Sequence, residues 1–242
     1  MNQSRAIVLH QLKYSETSLI LKIYTEKEGL LSFIVKGVRG KKGRIRSAQL
    51  QHLSILDLVY YEARKSQLRM IKDLKVDEPF VEIPYDPVKR SIALFITELL
   101  LHSIREEEEN RELYSFLYAS IHWLDLTKVS CTHFHLLFMM KLTKYLGFYP
   151  MFDRHENEGY FDLQSGTFAF SAPPHPHYID GDELQAWKAL LNCSYENLDK
   201  LHFANTLKRS MVQQLMDYYK LHLVNFKELN SHHILQMVFD DE

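Results

Sequence analysis

Cysteine is nearly absent: Cys131 and Cys193 are the two thiols in 242 residues. Two cannot form a Cys-rich zinc cluster, and they do not resemble the framework of a small secreted domain. Reduced, buried thiols are the expectation. Glycine and proline are also scarce, at 8 and 7, which excludes collagen-like and low-complexity chains. No apolar run approaches the ~20 residues that cross a bilayer. The longest block, at 135–140, has the length of a helix core. The first twenty residues lack a signal-peptide pattern, because His10, Gln11 and Lys13 interrupt the apolar positions and no small-residue cleavage site follows. A soluble cytoplasmic chain with no membrane partner is expected.

Common catalytic signatures are missing as well. Gly40-Lys41-Lys42-Gly43 lacks the spacing and the hydroxyl of a phosphate-binding P-loop. There is no His-Glu-x-x-His and no Cys-x-x-Cys. No base is identifiable for Cys131 or Cys193 as a nucleophile. The expectation is a protein that is not an enzyme, with no catalytic residue and no cofactor.

What is present is an ordinary globular composition, 46% hydrophobic and 25% charged, long enough for one large domain or two to three small ones. The net charge of −2 hides an asymmetry. Residues 1–76 hold fifteen Lys+Arg against six Asp+Glu, a balance of +9, and residues 77–242 carry −11. A basic segment attracts polyanions.

That basic segment shows the alternation of short strands. Ala6, Val8, His10 and Leu12 share a face of the first. Leu19, Leu21 and Ile23 share a face of the second, and Leu31, Phe33 and Val35 a face of the third. Residues 52–62 are rich in β-formers, and Leu68, Met70, Leu74 and Val76 line a fifth strand. Five short strands in under 80 residues predict a small barrel, whose closure removes exposed edges. Pro79, Pro84 and Pro87 mark a boundary. Asp86 can cap a helix that has Pro87 at its first position. Stripes at Val88–Ser103, Leu113–Leu124 and Phe134–Tyr145 predict three helices, the third ended by Gly147 and Pro150. An irregular or hairpin segment follows at 151–181. Helices resume near Asp182 and from Phe203 to Val224, with Leu207, Met211, Leu215 and Tyr218 inward.

The strongest site signal lies between two predicted strands, from Lys36 to Ser47. Six cations, Lys36, Arg39, Lys41, Lys42, Arg44 and Arg46, accompany three glycines and no acid. Clustered like charges repel unless a polyanion neutralises them, and a phosphate backbone does so with release of counterions. Aromatic side chains at Tyr14, Tyr24, Phe33, Tyr60 and Tyr61 accompany the strands. Phe33 shares a face with core residues. Tyr24 shares one with Lys22 and is the expected base-stacking platform. His155 with Glu158, and His175 with His177, have ligand-like spacings but no cysteine nearby, so no metal site is assigned.

The chain resembles the bacterial recombination mediator family RecO. The residues that carry the resemblance are the run from Ile7 through Arg46, the stretch Lys144-Tyr145-Leu146-Gly147-Phe148-Tyr149-Pro150, and the segment around Leu207-Lys208-Arg209-Ser210. The resemblance implies an α+β, multidomain protein. An N-terminal five-stranded OB-type β-barrel over 1–78 is followed by a mainly α-helical domain over 79–242. The irregular segment 151–181 stands where the family carries a zinc ribbon. His155-Glu156-Asn157-Glu158-Gly159 replaces that ribbon's first Cys-x-x-Cys-Gly, so zinc is not carried over, and a hairpin from Tyr160-Phe161-Asp162 to Phe168-Ala169-Phe170 is expected instead. The resemblance further implies binding of single- and double-stranded DNA, strand annealing, and loading of RecA onto SSB-coated single strands together with RecR. DNA is expected to meet the six loop cations, with Arg69, Lys72 and Lys75 extending the track. The SSB C-terminal tail needs an apolar cleft rimmed by cations, for which Lys141, Lys144, Lys208 and Arg209 are candidates. Two other readings remain open at this point, an RNA- or ribosome-associated OB protein and a structural adaptor.

Overall fold

Period-two apolar patterning builds five strands: β1 (Asn2–Lys13), β2 (Leu19–Thr25), β3 (Gly29–Val35), β4 (Ile55–Tyr61) and β5 (Leu68–Val76). The computed structural model describes residues 1–36, 38, 45, 47–62, 68–151 and 159–240. The strands close a barrel in the order β1-β2-β3-β5-β4. Neighbours are antiparallel except β3 and β5, which run parallel over Ser32–Ile34 and Leu68–Met70. Leu21, Ile23, Phe33, Leu56, Leu58 and Tyr60 fill the interior. Each such side chain contributes roughly 1.5–3 kcal/mol on leaving water. A short 3-10 turn, Ser47–Leu50, precedes β4.

Two bulges correct the expected faces. The β1–β2 register shifts between Val8 and His10, leaving Leu9 without a partner. Ala6 and Val8 point inward as expected, but His10 and Leu12 are turned out to solvent. One inserted residue reverses every later side chain. On β5 the register shifts again, Tyr60 pairing with Ile71 and Val59 with Asp73, so that Lys72 is the extra residue. Ile71 and Leu74 therefore enter the core, while Met70 faces out.

The helices are α1 (Pro87–Ser103), α2 (Arg111–Leu126), α3 (Phe134–Tyr145), α4 (Gly181–Leu191), α5 (Asn205–His222) and α6 (Ser231–Asp240). Pro87 opens α1, as its fixed φ allows. Three short strands, β6 (Tyr160–Asp162), β7 (Thr167–Ala169) and β8 (Tyr178–Asp180), form a sheet in the order β7-β6-β8. The expected hairpin corresponds to β6 and β7, where Phe161 pairs with Phe168. Helix α6 was not anticipated from the sequence.

The chain divides into two compact units, Met1–Asp86 with Ile96–Leu126, and Pro87–Phe95 with Thr127–Glu242. In the first, the barrel is joined by the end of α1 and by α2. Asp125 of α2 accepts the backbone N–H groups of Val81, Glu82 and Ile83 at 2.8–2.9 Å, which fixes the chain leaving the barrel. The Glu106–Glu109 stretch, between α1 and α2, is tied to the barrel. The Leu30 N–H donates to the Glu106 carbonyl at 3.0 Å, so this acidic run sits against the β2–β3 turn. Gly29 permits the approach. Its φ is +67°, and a Cβ there would meet the Glu106 carbonyl oxygen and come within 2.6 Å of that of Glu108.

The second unit is built around α3. Nine of its twelve residues are buried, so it is apolar on nearly all sides, as a central helix must be. Tyr219 of α5 donates its hydroxyl proton to the Met139 carbonyl at 2.8 Å. Trp187 of α4 packs against Phe161 and Tyr218, and its indole N–H donates to Gln214 at 2.8 Å. Both Tyr219 and Trp187 thus combine an apolar bed with a hydrogen-bond partner for the polar atom.

Candidate nucleic-acid interface

The outer wall of the barrel is ordered by register. His10, Lys22 and Ser32 lie opposite one another across β1, β2 and β3, with Leu68 of β5 next in line. Two residues along, Leu12, Ile20, Ile34 and Met70 form a second row over the same strands. Tyr61 lies opposite Met70 on β4. Leu12 and Met70 are 56% and 43% exposed, so this aliphatic row is in contact with solvent. Lys22 borders it on one side. Lys36, just past Ile34, and Lys72, just past Met70, border it on the other, and all three are exposed. Lys75 is exposed further along β5. An exposed apolar strip between cations can take bases on the strip and phosphates at its edges.

Lys36 is the root of the basic loop. Arg39, Lys41, Lys42, Arg44 and Arg46 lie outside the described residues, so their expected role stands as sequence reasoning.

Two expected contacts are corrected. Tyr24 is 1% exposed and stacks on Tyr114 of α2, ring centres 6.4 Å apart. Helix α2 covers this part of the outer wall, which alternation along β2 could not reveal. Burial, with Glu106 nearby, pushes the Tyr24 hydroxyl up, so it stays neutral. Among the described residues of the barrel, the exposed rings are Tyr14 and Tyr61, at 61% and 44%. Arg69 belongs to the interior-facing side of β5, opposite Phe33. Its guanidinium lies 2.5 Å from the Glu28 carboxylate and 5.7 Å from the centre of the Tyr60 ring. Burial alone would raise Glu28, but hydrogen bonds from Tyr60 and Arg69, the Arg69 charge and Asn2 outweigh it and hold the carboxyl below its ordinary range. Arg69 is a brace of the barrel rather than part of an outward track. Arg5 is held the same way, 2.9 Å from Glu26 and over the Tyr114 and Tyr118 rings.

In the second unit the four candidate cations separate. Lys208 and Arg209 rim a cleft between α3, α5 and α6, whose floor includes His135, Val212, Leu235 and Phe239. Lys208 lies over the Phe239 ring, 5.4 Å from its centre. Lys141 lies over Tyr195 and Lys144 over Tyr145, each at 6.0 Å, and neither lines the cleft. Burial, followed by the charges of His133 and Lys208, pushes the His135 imidazole down to about 3. His133, just before α3, is held at about 4 by burial and by Lys208 and His202. Sequence reasoning missed the α6 wall of this cleft. Its signal, Leu235 with Phe239 at helical spacing, was present.

The segment 159–180 brings few metal-ligating side chains together. His175 lies 3.4 Å from Asp162, and the His175 and His177 ring centres are 6.1 Å apart. Among the described residues no three His, Cys, Asp or Glu side chains converge. Both cysteines are buried and unpaired by disulfide. His155 and Glu158 lie outside the described residues. The described side chains do not fit a four-ligand zinc centre. No helix among the described residues is long and apolar enough to cross a membrane.

A five-stranded closed barrel of OB type, with cations along its outer wall and a largely helical region following it, defines an OB-barrel protein of the α+β class. The family models for the recombination protein O N terminal and C terminal match residues 1–80 and 84–231. The chain belongs to the RecO family, a family of DNA repair mediators and not of enzymes. It is 39% identical to the DNA repair protein RecO of Bacteroides fragilis over 99% of this chain and 100% of that protein. It is 34% identical to that of Phocaeicola vulgatus, over 99% of both. The RecO of Flavobacterium psychrophilum is 35% identical over 98% of both.

Proposed function

We propose that this chain anneals complementary DNA strands and, with RecR, helps load RecA onto SSB-coated single strands in the cytoplasm. DNA binding is assigned to the barrel, 1–78, and partner binding to 79–242. The observation that carries the reading is the solvent-facing aliphatic row bordered by Lys22, Lys36 and Lys72, at the foot of a loop with five further cations. Lys36, Arg39, Lys41, Lys42, Arg44, Arg46, Lys72 and Lys75 contact phosphates, on single and double strands alike. Tyr61 and Tyr14 replace Tyr24 as the rings available to bases. Annealing needs no proton transfer. Cations lower the repulsion between two strands while the bases stay available to pair.

Partner recognition is assigned to the α3/α5/α6 cleft, where Lys208 and Arg209 meet the acidic part of the SSB tail and the apolar surface meets its hydrophobic part. Lys141 and Lys144 extend the cationic surface of that unit.

The test is annealing of SSB-coated complementary strands by wild type and by a chain with Lys41, Lys42, Arg44 and Arg46 changed to Ala. The variant is expected to lose most of its annealing rate. With about four phosphates neutralised, wild-type affinity for single strands falls roughly 60-fold between about 50 and about 200 mM salt, a slope near −3. A wild-type affinity indifferent to salt, or full annealing by the variant, would refute the assignment.

A further inference from the structure

The α6 wall of the cleft itself fills most of the groove between α3 and α5 that Lys208 and Arg209 rim. Phe239, in the last turn of α6, packs 5.3 Å from the His135 ring and beneath Lys208. Leu235, one turn earlier, is 2% exposed. With both seated, about 20 Å³ remains, room for about one water molecule. An incoming aromatic side chain does not fit in that space. In the sequence Phe239 is followed by Asp240-Asp241-Glu242, an aromatic next to acids, the composition that an apolar cleft rimmed by cations selects.

We propose that α6 is an internal occupant of this cleft, a plug that an acidic peptide bearing an aromatic end must displace. The proposal rests on the cleft being the peptide site assigned above. Two features make the helix displaceable. At ten residues it is shorter than the ~12–15 that hold helical form alone, so its order depends on its seat. That seat is small: Leu235 is its one fully buried apolar side chain, while Ile234 and Met237 are exposed. A third feature favours exchange. The buried Nδ1 of His135 has no hydrogen-bond partner while α6 is in place. A peptide amide or hydroxyl reaching that atom gains an interaction that α6 does not make, which is the differential affinity that shifts a closed form to an open one.

The probe is a fluorescent peptide of four aspartates ending in phenylalanine, titrated into the full chain and followed by anisotropy. The Phe239→Ala chain is expected to bind three- to tenfold more tightly, corresponding to a cleft open in roughly a third to a tenth of wild-type molecules. In wild type the same peptide is expected to speed amide exchange over 232–240, a measurement that needs no variant and decides the matter if Phe239→Ala does not fold. Equal or weaker binding by Phe239→Ala, with exchange in α6 unchanged, overturns the plug. If Arg209→Glu still weakens peptide binding in that case, the cleft assignment stands without it. If neither wild type nor Phe239→Ala binds the peptide, plug and cleft assignment fall together.

Discussion

The two units use positive charge differently. In the barrel unit both described arginines of the strands are spent on the fold: Arg5 on Glu26 with Tyr114 and Tyr118, Arg69 on Glu28 with Tyr60. The outward cations of its strands are lysines on exposed register positions. In the helical unit four lysines lie over rings, Lys141 on Tyr195, Lys144 on Tyr145, Lys188 on Phe168 and Lys208 on Phe239. A carboxylate partner cancels a charge and braces two strands. A ring holds a charge in place without cancelling it, next to an apolar surface. Positive charge therefore braces strands in one unit and stays uncancelled beside apolar surface in the other.

The largest loss is expected at Gly29. Gly29→Ala places a Cβ at φ +67° against the Glu106 and Glu108 backbone. Left-handed strain and steric overlap together are expected to cost about 4 kcal/mol, read as a lowered urea midpoint. A near-neutral result would mean that the acidic stretch does not rest on the barrel. Next in size, Asp125→Ala removes the acceptor of three backbone N–H groups. A loss of about 3 kcal/mol is expected, with DNA affinity per folded molecule unchanged.

Acid separates the barrel's paired carboxylates from the helical unit's buried histidines, because the two sets titrate in different windows. His133 and His135 are held at about 4 and about 3 in the fold, against an ordinary 6.5. The unfolded chain therefore takes up protons first as pH falls below about 6.5, and stability declines until the folded values are reached. Between about pH 7 and about pH 5 the decline for His135 is about 2 kcal/mol, and His135→Leu is expected to flatten it. Glu26 and Glu28 are depressed below their ordinary 4.5. Their contribution is complete above that value and is lost only as pH falls through their folded values. A melting series that shows the whole decline below pH 4.5 would place the histidines in a wetter setting than the structure does.

The smallest effect separates two neighbours on β5. Arg69→Ala is expected to cost about 1 kcal/mol of stability and leave the salt slope for single-stranded DNA intact. Lys75→Ala is expected to leave stability unchanged within ~0.5 kcal/mol and lower that slope by roughly 0.7. Reversed outcomes would return Arg69 to the outward track.

Much of this was legible in the sequence. The buried faces of β2 and β3 followed from alternation, and the three helical stripes each formed a helix. Periodicity failed where a residue is inserted. Leu9 and Lys72 are invisible to a period-two pattern because every residue type around them suits a strand. It failed again at Tyr24, where a strand face is covered by a helix more than eighty residues away. No local signal encodes such a long-range contact. For the sites, clustered charge revealed the basic loop, but whether an arginine faces solvent or a carboxylate depends on register. Arg69 and Lys75 differ in that respect and in little else. Lys208 and Arg209 were found through resemblance, and the wall opposite them was not found.

The docking of Glu106 on the β2–β3 turn has a practical corollary for anyone dissecting the protein. A fragment ending after β5 would carry every strand of the barrel, yet the Leu30 amide would lose its acceptor, Arg5 its aromatic bed and Tyr24 its roof. Such a fragment would offer a newly bared tyrosine beside Lys22, and it would bind oligonucleotides through a surface that the intact protein keeps closed. An isolated barrel is therefore a misleading stand-in, and a faithful dissection retains the polypeptide through Leu126.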